Sequence, residues 1–61
     1  MSEFDILALV KCARRELEFR RRVYPRLIGE GRLSAQTAER EIELMKAIVE
    51  NLEKQGEPFL F

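Results

Sequence analysis

Histidine and tryptophan do not occur in this sequence, and cysteine occurs once, at Cys12. Without histidine there is no imidazole to serve as base or metal ligand, and a single thiol cannot close a disulfide within the chain. Long apolar runs are missing as well: none approaches the roughly 20 residues of a membrane span, and no basic leader precedes an apolar core at the N-terminus. Eleven basic residues balance eleven acidic ones, which argues against a dedicated nucleic-acid binder held by phosphate neutralisation. An unpartnered cysteine suits a reducing compartment, so the expected location is the cytoplasm.

Sixty-one residues allow a single domain, 1–61, and a compact chain of that size buries only about 60% of its unfolded surface. Small folds recover stability from disulfides, a metal or oligomerisation. The first two routes are nearly closed here, which leaves self-association. Charge is unevenly placed along the chain: positions 1–33 hold eight basic and five acidic residues, and positions 34–61 hold three and six, setting +3 beside −3. A basic segment next to an acidic one is self-complementary, so most of these charges need no outside partner.

What the sequence does contain is helical periodicity. Ser2 with Asp5 forms a capping-box-like start, so helix 1 is expected over about 3–28. Its seam runs Ile6, Val10, Ala13, Leu17, Tyr24, Leu27, at steps of 4, 3, 4, 7 and 3, interrupted by Arg20. A second stripe of Leu9, Cys12, Phe19 and Val23 lies beside it, widened near the start by Phe4 and Leu7. Pro25 lacks an amide hydrogen and crowds the carbonyl of Arg21, so the helix must kink or stop there. A kink is favoured over a break at Tyr24, because Leu27 and Ile28 keep the seam in phase and Gly31 is the better terminator.

A turn is expected over 29–34, with Gly29 and Gly31 as turn glycines, Leu33 placed as a hydrophobic staple and Ser34 as N-cap. Helix 2 follows over about 35–55 with the seam Ala38, Ile42, Met45, Val49, Leu52 and a flanking stripe of Leu44 and Ile48. Gly56 and Pro58 end it, leaving an apolar tail over 56–61. With the turn centred near residue 31, Leu17 faces Met45, Ala13 faces Val49 and Arg20 falls beside Glu41 and Ile42, where its guanidinium finds a carboxylate. The expected fold class is all-α: an antiparallel two-helix αα-hairpin that dimerises into a four-helix bundle. Leu9, Cys12, Phe19, Val23, Leu44 and Ile48 are the expected dimer interface. The tail residues Phe59, Leu60 and Phe61 are expected to dock, either on the bundle or on a partner.

Little here can carry catalysis, and no enzyme activity, metal or cofactor is expected. Cys12 reads as a small core residue before it reads as a reactive thiol. Glu39, Glu43, Glu50 and Glu53 of helix 2 read as a solvated face, and the Glu-x-x-His spacing of bundle metal sites is absent. The sharpest polar feature is Arg20-Arg21-Arg22 with Arg26. Residues one turn apart share a face, so Arg22 and Arg26 form a pair with Arg15 behind them. These arginines either pair with helix 2 glutamates and solvent, or form a patch that grips acidic protein or phosphate. Tyr24 is open in the same way, between core filler and interface anchor.

The run from Arg20 to Ser34, Arg-Arg-Arg-Val-Tyr-Pro-Arg-Leu-Ile-Gly-Glu-Gly-Arg-Leu-Ser, followed by Ala38-Glu39-Arg40-Glu41-Ile42 and Met45-Lys46-Ala47-Ile48, resembles a group of small proteins encoded by phages and prophages. The likeness covers about residues 14 to 50. In size and hairpin-dimer format the chain is similar to the quorum-sensing anti-activator proteins of transposable phages. Those bind a host LuxR-type transcriptional regulator and can block the assembly ATPase of type IV pili. The resemblance implies a non-enzymatic protein in the host cytoplasm that binds itself and inhibits a host protein. It rests on format, and no functional residue is carried over from it. The residues expected to contact the partner come from the patch and the tail: Arg15, Arg22, Tyr24, Arg26, Phe59, Leu60 and Phe61. The alternatives are a nucleic-acid-binding accessory protein in phage gene control, against which zero net charge and the lack of a third helix argue, and a small structural or assembly component.

Overall fold

The computed structural model describes residues 5–56, in which two α-helices, α1 over Ile6–Gly29 and α2 over Ala35–Gly56, pack against each other as an antiparallel hairpin. Residues 1–4 and 57–61 lie outside the described residues. The expectations for Ser2, Phe4, Pro58 and the Phe59, Leu60, Phe61 tail therefore lie outside them too.

The N-cap of α1 is Asp5, the expected third-position partner of the capping-box-like pair, and not Ser2. The Asp5 backbone is extended and its carboxylate accepts a hydrogen bond from the amide of Ala8 at 2.8 Å. Helix 1 consequently begins at Ile6, three residues later than expected. Sequence alone offers both residue types as caps. Asp5 also places a negative charge at the positive end of the helix dipole.

Past the cap, α1 runs unbroken through Pro25 to Gly29, so the break at Tyr24 does not occur. Arg26 stands in its last turn, where a cation suits the negative end of the dipole. Termination follows the Schellman pattern. With Glu30 as C-cap, the amide of Gly31 donates to the carbonyl of Ile28 at 3.0 Å and that of Arg32 donates to Leu27 at 2.9 Å. Gly31 holds φ at 72°, a conformation that L side chains rarely adopt. Three residues later Ser34 caps α2: its hydroxyl accepts from the amide of Thr37 at 3.0 Å and donates to the Thr37 hydroxyl at 2.8 Å. Leu33 and Ala38 occupy the staple positions and are half-buried and buried respectively.

Between the helices lies a core of six residues, Val10, Ala13, Leu17, Ala38, Met45 and Val49, all drawn from the two seams. Ile42 and Leu52 pack against it, while Ile6, Tyr24 and Leu27 are half-buried along α1. The principal extents are 41 × 22 × 16 Å, two helices wide and a single layer thick. The radius of gyration of 13.8 Å exceeds the roughly 10.5 Å of a compact chain of this length.

Gly31→Ala should lower stability by about 1 kcal/mol through the positive φ, and Ser34→Ala by about 1 kcal/mol through the lost cap. Urea unfolding followed by circular dichroism at fixed protein concentration measures both, and an unchanged midpoint for Gly31→Ala would show that the turn adopts another conformation in solution.

Candidate interaction surface

Two cross-helix contacts mark the two broad sides of the hairpin. On one side the Arg20 guanidinium donates to the backbone carbonyl of Glu41 at 3.0 Å, lies 3.8 Å from the Glu41 carboxylate, and donates to Glu16 one turn back at 3.0 Å. Its side chain is only 22% exposed. The expected Arg20–Glu41 proximity is present, with the main-chain oxygen taking the shorter contact. On the opposite side Arg14 pairs with Glu53. Glu53 is thus not part of a purely solvated face: its side chain is 26% exposed and engaged by a guanidinium.

Successive residues step about 100° around a helix, so these contacts fix where every other position points. On α1, Leu9, Cys12, Phe19 and Val23 fall on the Arg20 flank. On α2, Leu44, Ile48 and Leu52 fall on the Glu41 flank. The two flanking stripes therefore emerge on the same side and form one apolar surface spanning both helices. Phe19, Leu44 and Ile48 are 46%, 44% and 48% exposed on it, and Leu9, Val23 and Leu52 are half-buried. Cys12 is exposed, so it is not a core residue of the single chain. Leu7, Arg14, Arg21 and Ile28, spaced by sevens, lie in a row on the other side. Leu7 therefore does not widen the Phe19 stripe.

Charges sort by side as well. Lys11, Arg15, Arg22 and Arg26, at steps of 4, 7 and 4, form one exposed row along the outer edge of the apolar surface, next to Cys12, Phe19 and Val23. Among the described residues none of these four pairs with a carboxylate. Glu18, the acid lying in that row, is engaged by Arg21 at 3.3 Å. Arg40, exposed one turn before Leu44, marks the α2 edge of the same surface. The acidic row Glu39, Glu43, Glu50 and Glu53 runs along the other flank of α2 with Arg14 and Lys46. Of the arginines expected to meet helix 2 glutamates, Arg20 does. Arg21 pairs within its own helix, and Arg22 and Arg26 do not pair among the described residues. Arg15, Arg22 and Arg26 are thus brought together as a patch, while Tyr24 is half-buried in the seam. Lys11 was missed from the sequence, although its place one turn before Arg15 was the available signal.

Among the described residues no group of three or more Cys, Asp or Glu side chains could hold a metal ion, and no helix is long and apolar enough to cross a membrane. No protein-family model, no curated protein and no solved structure matches the sequence.

Arg20→Gln should cost about 1–2 kcal/mol, because it removes charged hydrogen bonds from a mostly covered site. Arg22→Gln and Arg26→Gln should each stay within about 0.5 kcal/mol. Thermal unfolding of the three variants separates the roles, and equal losses would place Arg22 or Arg26 in a contact within the chain.

Proposed function

We propose that the chain is a non-enzymatic binding protein whose apolar surface is closed by a second copy, giving a four-helix bundle, and that the assembled protein binds and inhibits a host-cell protein. The observation that carries this reading is the side-by-side emergence of Phe19, Leu44 and Ile48, each more than two-fifths exposed, on one face of a single-layer hairpin. Contiguous apolar surface on a small domain marks an interaction site. A two-fold copy supplies the same stripe in return, which makes the contact self-complementary. Leu9, Cys12, Phe19, Val23, Leu44 and Ile48 are its proposed contacts.

The exposed basic row of Arg15, Arg22 and Arg26 supports a second contact, with an acidic protein. The likeness of about residues 14 to 50 to small phage proteins, and of the format to anti-activators, supports a host target such as a LuxR-type transcriptional regulator or the ATPase of type IV pilus assembly. Inhibition would follow from occlusion of a working surface of that target.

Sedimentation equilibrium should give twice the chain mass at micromolar concentration, and Ile48→Asp should yield a helical monomer. The reaction of Cys12 with a thiol reagent supplies an internal probe, since it should slow as the chain associates. A wild-type protein that remains monomeric, with Cys12 labelling independent of concentration, would overturn the dimer.

A further inference from the structure

The rim of the apolar surface carries more information than its centre. Lys11, Arg15, Arg22 and Arg26 border it on α1 and Arg40 borders it on α2, all exposed and none engaged by an acid among the described residues. The acids nearer the middle, Glu16 and Glu41, are held by Arg20. Those of the Glu39–Glu53 row lie on the other flank of α2.

A second copy satisfies the apolar centre but not this rim. If α1 of one chain lies over α2 of the other, Arg22 comes near the level of Arg40 of the second copy. If α1 lies over α1, the two basic rows run side by side. Either two-fold arrangement sets cation beside cation, and like charges opposed across a contact weaken it. An amphipathic helix with an apolar stripe and acidic flanks satisfies both parts: its stripe covers Phe19, Leu44 and Ile48, and its carboxylates meet Arg15, Arg22, Arg26 and Arg40.

From this we infer that the inhibited partner presents an acidic amphipathic helix, and that this helix takes the place of the second copy on the same surface. Self-association and target binding are then alternatives, with the dimer a stored form that the target opens. The inference rests on the reading that protein covers this face, and it adds the chemistry of the partner and the competition.

A synthetic helix of about 20 residues, long enough to lie along ~30 Å of the surface, tests it, made with leucine at the a and d positions and glutamate on the flanks. Its control carries lysine in place of every glutamate. Titration into the full chain, read by sedimentation velocity and by protection of Cys12 from a thiol reagent, should show the acidic peptide binding and converting dimers to complexes of one chain with one peptide. Arg22→Glu/Arg26→Glu should lower that affinity about tenfold, the size expected when two surface ion pairs become like-charge contacts. The same variant should gain affinity for the lysine peptide, a gain that misfolding cannot produce.

Equal binding of both peptides, binding of neither, or binding of the acidic peptide to an intact dimer would each overturn the inference. So would tighter binding, at the same salt, to anionic phospholipid vesicles or to a DNA duplex than to the acidic peptide. A chain that is monomeric before titration but binds the acidic peptide selectively refutes the dimer alone and leaves the acidic-helix partner supported.

Discussion

Two helices laid side by side can hide only the seam that runs between them. Each helix here carries a seam and a flanking stripe, and the hairpin accommodates the seams alone. Val10, Ala13 and Leu17 meet Ala38, Met45 and Val49, and everything apolar beyond that line stays at least partly in water. A layer 16 Å thick has no second tier to receive Phe19, Leu44 or Ile48. The residues with functional potential follow from that constraint, because they are the ones the chain could not cover.

The turn fixes which surfaces are left over. The paired Schellman bonds at Ile28 and Leu27, the positive φ of Gly31 and the Ser34 cap confine the connection to Glu30–Ser34, so α2 has little freedom to roll about α1. Roll decides whether the two flanking stripes share a side or point apart. The Arg20–Glu41 and Arg14–Glu53 contacts, one on each side, agree with a single roll angle. Local capping chemistry thus determines the composition of a surface whose residues run from Leu9 to Leu52.

Much of this was legible in the residues. The seams were, because a 3.6-residue period is hard to produce by accident over two dozen positions, and so was the second helix start, because Leu33, Ser34 and Ala38 agree. Proline within helix 1 was readable because Leu27 and Ile28 stay in phase after it. The first cap was not, since Ser2 and Asp5 are both good capping residues and sequence cannot rank them without the backbone. Nor was the Arg14–Glu53 pair: facing positions in a hairpin are set by the turn, but diagonal ones depend on the roll. That Lys11 continues the basic row was readable from its place one turn before Arg15, whereas the acids' lying on the flank of α2 away from that row required the two helices to be placed together.

Arg20 sits within the apolar face together with Glu16 and Glu41, tied by its guanidinium to the Glu16 carboxylate and to the main chain of Glu41. A greasy surface without such an island would accept a covering helix at many axial offsets. With it, most offsets press aliphatic side chains onto a charged group that has already lost most of its water, and only those that place a small or polar residue over the guanidinium escape that cost. The island therefore acts as an index mark: it adds little adhesion, but it restricts where along the hairpin any visitor can come to rest.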